Sequence, residues 1–261
     1  KIVEKKDDYN IFNEAGVTVA SYAKYSKDAI WPLKTYDKFD FDPLNSILNS
    51  FSKIKTHGEG ASIQVVIKPE DDRHTKRFKK TLDDVLKGEK VSEAISKNGE
   101  GFFKHVDGFM RGISELMTSK EDKEKAEQKK KEAIQNVDQI AVESIKEKIA
   151  SPIVSTNIRI VASAENENIA GQILSDIESS FNQFEYTHGN GIEFVKVKKA
   201  DLRSLLYGFS FRLFDESTRV LTNLKEITSL MHFPATVIRS APHLKTAKAG
   251  SAPAPLELAK E

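Results

Sequence analysis

Lys196, Lys198, Lys199 and Arg203 fall close together in the chain. Cations spaced in this way can neutralise a phosphate backbone. They open a C-terminal third that is locally basic: residues 196–249 hold ten Lys and Arg against four Asp and Glu. Phe209 and Phe211 follow, so the stretch offers charge and aromatic surface to a nucleic acid. The competing reading puts both phenylalanines in a core and spreads the charge over several faces. Arg73, Lys76, Arg77, Lys79 and Lys80 form a second cationic group, diluted by Asp71, Asp72, Asp83 and Asp84. Lys129, Lys130 and Lys131 form a third. Both read as solvated helix faces.

The motifs of familiar enzymes are missing. No G-x-x-x-x-G-K-[ST] run is present to cradle phosphate. Gly58-Glu59-Gly60, Gly99-Glu100-Gly101 and Gly189-Asn190-Gly191 each lack the third glycine of a dinucleotide fingerprint. Neither H-E-x-x-H nor G-x-S-x-G occurs, and the histidines at 57, 74, 105, 188, 232 and 243 show no ligand spacing. With no cysteine, thiol catalysis and Cys-based metal sites are excluded. The expectation is no catalytic residue, no cofactor, no metal and no small-molecule substrate. His232 suits the C-terminal end of a helix, where the dipole favours a cation.

The 261 residues suffice for one large or two small domains. Lys and Arg number 40 against 39 Asp and Glu, so net charge gives no argument for a polyanionic partner. No apolar run reaches the 18 or so residues of a membrane span. The chain begins with Lys1 and not Met, as expected for a piece of a longer protein.

Alternation predicts strands at residues 17–22, 61–67 and 154–162, each half-buried with one wet face. Asp42-Pro43 starts a helix with Leu44, Ile47, Leu48, Phe51 and Ile54 inward. Pro69 ends a strand, and Glu70-Asp71-Asp72 opens a helix that Gly88 closes. Residues 88–119 read as a Gly/Phe-rich loop with short helical pieces, and residues 118–149 as one long charged helix. A further helix spans residues 165–181. Residues 184–186 and 192–197 flank Asn190-Gly191 and predict a hairpin. Residues 201–207 read as a short helix, residues 209–213 as a strand, and Asn223 as the cap of a last helix ending near Met231.

The stretch from Ile63 to Asp72 echoes that from Ile158 to Glu167, each strand standing between two helices. The fold class is therefore α+β: two similar helix–strand–helix units with mainly antiparallel sheets, plus a long charged helix. The expected divisions are a first unit at 1–117, the long helix at 118–150, a second unit at 151–241 and a Pro/Ala-rich linker or tail at 242–261.

Four uncommon strings follow one another in order. They are Ile30-Trp31-Pro32-Leu33-Lys34-Thr35-Tyr36, Phe41-Asp42-Pro43-Leu44, the run from Gly58 to Pro69 (GEGASIQVVIKP), and the run from Glu226 to Pro234 (EITSLMHFP). Together they resemble the region just upstream of the motor in bacterial type IV secretion (conjugative DNA-transfer) ATPases. In that family a "GEGA-IQ-…-P" strand and an "EL-x-LxHxP" segment precede the P-loop motor. The likeness runs from about residue 1 to 255, with Ile227 where the family usually has Leu. The motif positions are Gly58, Glu59, Gly60, Gln64, Pro69, Glu226, His232 and Pro234, none of them catalytic.

The resemblance implies a non-catalytic accessory segment whose ATP-binding residues lie beyond Glu261. It also implies a cytoplasmic place at the inner face of the membrane and an oligomer in the full-length protein. The expected partners are other subunits of a membrane-associated secretion assembly, with DNA as a further candidate.

Overall fold

A computed structural model describes residues 10–55, 57–99 and 137–232. Its centre is a five-stranded sheet built around one long strand, β3 (Ile153–Ala164). Along one edge β3 pairs with β2 (Gly60–Pro69) from Ser163↔Gly60 to Val154↔Pro69. Its other edge is shared. Residues 159–164 pair with β1 (Val17–Tyr25), and residues 153–156 pair with β5 (Val220–Asn223). β4 (Ile192–Lys196) extends the sheet beyond β1. Every pairing is antiparallel, and with the flanking helices this makes an α+β fold.

Both expected helix–strand–helix units form. The first is α1 (Leu44–Ser52), β2 and α2 (Arg73–Leu86); the second is α4 (Gln139–Ile149), β3 and α5 (Glu167–Ser180). They do not own separate sheets, since β2 and β3 pair with each other. The helix before each strand packs on the helix after the other, α1 on α5 and α2 on α4. A short α3 (Val91–Lys97) follows α2, and α6 (Lys199–Ser210) and α7 (Leu224–Leu230) are the remaining helices among the described residues.

Local chemistry sets the ends of these elements. Asp42 Oδ1 accepts the Leu44 N–H at 2.9 Å, so the cap begins at the predicted Asp. Gly88 closes α2 at φ +90°, a conformation that suits glycine. Asn166 and Asn223 cap α5 and α7 with their side chains.

Three apolar clusters hold the layers. Ile158, Ile160 and Ala162 lie with Ala23 and Ala61 under Leu44, Ile47, Leu174, Ile177, Phe181 and Phe184. Phe78, Leu82 and Val85 of α2 meet Val142 and Ile145 of α4, closed by Ile30, Ile153 and Leu221. On the opposite side of the sheet Ile11, Ala20 and Val161 pack against Leu202, Leu205, Leu206 and Phe209 of α6.

Several expectations are corrected. No position of β3 is wet: all twelve residues are buried, with Asn157 under Asp215, Ser155 under Glu70 and Ser163 under Asn13. Residues 209–213 are not a strand. Leu202, Leu205, Leu206 and Phe209 sit at helical spacing, so α6 runs on to Ser210 and Arg212 (φ +54°) follows it. The hairpin is also absent. Residues 181–184 form a 3₁₀ turn that buries Phe181 and Phe184, and β4 pairs with β1. Asn190 is instead a tertiary tie: its side chain accepts the Lys27 N–H at 2.9 Å and donates to the Asp28 carbonyl at 2.9 Å.

No single helix runs from residue 118 to Ile149, since α4 begins at Gln139 with Asp138 as its cap; residues 118–136 of that expectation lie outside the described residues. Residues 91–97 of the expected loop region are the helix α3. Lys129–Lys131 and the tail from residue 242 lie outside the described residues.

The second cluster should be sensitive to loss of volume. Phe78 is fully buried at its centre. Phe78→Ala is expected to cost about 3–5 kcal/mol, measured as a lowered urea midpoint.

Candidate functional site

Three of the four strings that carry the family resemblance meet in space. The segment from Ile30 to Tyr36 crosses the start of α7, and backbone groups of the first are received by side chains of the second. The Leu33 N–H donates to Glu226 Oε1 at 2.9 Å, and the Tyr36 N–H to Ser229 Oγ at 2.8 Å. Lys225 Nζ donates to Asp37 Oδ2 at 2.9 Å. The Thr35 hydroxyl and this ammonium hold the Asp37 carboxyl down at about 2. His232 Nε2 lies 3.0 Å from Asp42 Oδ1, and its Nδ1 lies 3.1 Å from the Thr228 carbonyl oxygen. The predicted helix-end role of His232 is therefore joined by a tie to the start of α1.

Glu226 is the most enclosed of these residues. It closes a capping box, with the Asn223 N–H donating to Oε2 at 2.8 Å and its own N–H donating to Asn223 Oδ1 at 2.8 Å. Lys148 of α4 donates to Oε2 at 2.7 Å and to Oε1 at 3.0 Å. Its third partner is the Leu221 carbonyl at 2.8 Å, which also accepts the Tyr25 hydroxyl at 3.1 Å. Both charged side chains are fully buried. Burial pushes the Lys148 ammonium below the ordinary lysine value while Glu226 pulls it up. Burial, with the nearby Glu226 charge, raises the Tyr25 hydroxyl well above its ordinary range. A carboxylate saturated in this way positions chain segments and has no free face for proton transfer.

The GEGA strand is built from conformational demands. Gly58 sits at φ +80°, and its carbonyl accepts the Asn13 side-chain amide at 2.9 Å. Glu59 accepts the Lys55 N–H at 2.9 Å. At Gly60 a Cβ would stand 2.2 Å from the Ile11 carbonyl oxygen, so only glycine fits. Gln64 donates to the Phe209 carbonyl at 2.8 Å and accepts from Arg159 at 3.2 Å. Pro69 closes β2 opposite Val154.

Arg159 belongs to a polar row that the sequence reading passed over. Ser155, Asn157, Arg159 and Ser163 alternate along β3 and are all buried. Asn157 brackets the Asp215 backbone, accepting its N–H at 2.7 Å and donating to its carbonyl at 2.8 Å. Ser155 donates to Glu70 at 2.7 Å. Polar residues at a period of two inside a strand taken as half-wet were the available signal.

Lys196, Lys198, Lys199 and Arg203 come together at the corner between β4 and α6, all exposed. Lys199 reaches Glu167 at 3.3 Å. Along α6, Lys199, Arg203, Tyr207 and Phe211 recur every four residues and so share one face. Tyr207 is 61% and Phe211 63% exposed, with ring centres 4.8 Å apart. Phe209 turns the other way, into the third cluster. The two phenylalanines thus divide between the two expected roles.

A cleft lies between the end of β1, α2 and β5, lined by Lys24, Lys27, Asp28, Arg77 and Arg219 among others. Its cations are engaged: Arg77 with Asp28 at 2.8 Å, Lys27 with the Gly189 carbonyl at 2.9 Å, and Lys24 with Glu193 at 3.6 Å. No motif residue lines it. Among the described residues no group of three His, Asp or Glu is placed to hold a metal. Pro234 lies outside the described residues.

The buried pair yields a direct test. Glu226→Leu strands the Lys148 charge, at an expected cost of about 3–5 kcal/mol. The double variant Lys148→Met/Glu226→Leu should be less destabilised than Glu226→Leu alone. Urea unfolding of the three proteins measures the coupling, and equal losses would contradict it.

No curated protein and no solved structure matches the chain. A family model described as "Domain of unknown function (DUF8128)" matches residues 2–245, most of the sequence, and the chain belongs to that family.

Proposed function

We propose that this chain is a non-catalytic accessory segment of a type IV secretion or conjugation-type ATPase, making protein–protein contacts upstream of a motor domain. The observation that carries the reading is the convergence of its motif strings. Leu33 and Tyr36 from one string meet Glu226 and Ser229 from another, nearly two hundred positions away. Three strings that resemble one family in sequence thus pack as one structural unit. Glu226 and Asp42 are taken up in holding these strings together, which suits a scaffold. In this reading the segment is cytoplasmic, at the inner face of the membrane, and its partners are other subunits of an oligomeric assembly. Among the described residues no helix is long and apolar enough to cross a membrane.

The coding sequence tests this reading directly. A G-x-x-x-x-G-K-[ST] motif is expected within roughly a hundred residues after Glu261, about the distance of one further domain. A stop codon soon after Glu261 would remove the motor and the reading with it. The purified 261-residue chain is expected to hydrolyse no ATP, and measurable turnover would overturn the non-catalytic assignment.

A second reading, nucleic-acid binding, is favoured by the exposed stripe on α6. Cations followed by aromatics along one face match the way proteins track a phosphate backbone and stack on bases. Changing Lys196, Lys198, Lys199 and Arg203 to Glu is expected to abolish DNA binding and its salt dependence. Fluorescence anisotropy across a salt series reads both. Binding indifferent to those four changes would count against this surface.

A further inference from the structure

We infer that the outer edge of β2 is a self-association surface, on which a second copy of this chain adds its own β2 in antiparallel register. The inference is independent of any secretion role.

β2 is a ten-residue strand, and among the described residues only β3 runs alongside it. On the side away from β3 its backbone N–H and C=O groups have no partner among the described residues. An edge of this kind is a template for another strand. The usual protections are sparse. The run Ala61-Ser62-Ile63-Gln64-Val65-Val66-Ile67-Lys68 holds one charge, near its end, and the only proline follows as Pro69. Four of its residues are Ile or Val, which favour pairing. Ile67 is 48% exposed, a large apolar side chain at the open edge. The sheet's opposite edge, β4, is half as long, at five residues, and carries Glu193 and Lys196.

The occupant is a second copy because the strand is complementary to itself. In an antiparallel pair, opposed residues point to the same face of the sheet. A two-fold axis through Val65 meets that condition and covers almost the full strand. Val65 then faces Val65 of the second copy, Ile63 faces its Ile67, Gln64 faces its Val66, and Ser62 faces its Lys68. Ile67 gains an apolar neighbour twice over. The only charges in the strand, the two Lys68 ammoniums, are each already neutralised by Glu216 of their own chain and each face a serine hydroxyl, so no like charges oppose. The result is an isologous pair that joins two five-stranded sheets edge to edge. A single strand edge is a small interface, so the association is weak and depends on concentration.

Sedimentation of the full chain over a concentration series provides the test. The weight-average mass should climb from 29.2 kDa toward twice that value. Two variants at one position read the register. Ser62→Glu places a carboxylate opposite Lys68 of the second copy and should tighten association. Ser62→Lys places like charges there and should loosen it, with dissociation constants roughly tenfold or more apart. Ile67→Lys should leave only monomer, with circular dichroism confirming that the variant folds. Should Ile67→Lys fail to fold, the Ser62 pair still decides the matter. A wild-type chain that stays monomeric up to about 1 mM, or one that instead takes a strand from another protein, overturns the inference. So do Ser62 variants that associate equally.

Discussion

Lys148 and Glu226 hold opposite charges with no access to solvent, and four segments of the chain are arranged to make that tolerable. Removing an ion from water costs several kcal/mol, which mutual attraction offsets only when the remaining hydrogen-bonding positions are filled. Here they are. The Leu33 and Asn223 N–H groups complete the carboxylate, and the Leu221 carbonyl completes the ammonium. Satisfying one buried pair therefore fixes the end of α4, the course of β5, the start of α7 and the loop after β1. Asn223 tightens the same knot by donating its side-chain amide to the Lys148 carbonyl at 3.0 Å. An apolar plug would give comparable burial with less dependence on direction. The ionic arrangement instead ties the end of α4 to the start of α7 through directional hydrogen bonds.

β3 organises the rest. Its Ile158, Ile160 and Ala162 face α1 and α5, while Asn157 and Ser155 on the opposite face receive the Asp215 backbone and Glu70. A strand buried on both faces normally reads as a continuous hydrophobic run. This one keeps serines, asparagine and arginine on one face because irregular backbone packs there and brings N–H and C=O groups that need partners.

That difference explains what the sequence could and could not reveal. Signals contained in a few neighbouring residues were legible: Asp42 before its helix, Pro69 ending a strand, Gly88 closing α2, Asn223 capping the last helix. Patterns that fit two periods were not. Phe209-Ser210-Phe211 alternates like a strand, yet Phe209 also stands seven residues after Leu202, and packing on Ile11 and Val161 decides for helix. Asn190-Gly191 looks like a hairpin turn, but the Asn side chain is taken up by Lys27 and Asp28 far away in sequence. At the candidate sites the basic corner was readable from composition. The partnership of Lys148 with Glu226 was not, since Lys148 lies in a helix with wet-looking neighbours and its partner is far along the chain.

The long reach of that partnership bears on how the protein comes into being. A chain leaving the ribosome offers Leu33 and then Lys148 well before the acceptor that both require. β3 likewise acquires β2 and β1 from upstream but waits for β5 from downstream. Contacts so distant in sequence make for slow folding, because loop closure must be met before they contribute. Until the last described helix is made, a lysine destined for the interior has no counter-charge. The sheet edge that β5 will fill stays open to other strands. The interval between synthesis of α4 and of α7 is therefore the stage at which this chain is most exposed to aggregation and to chaperones.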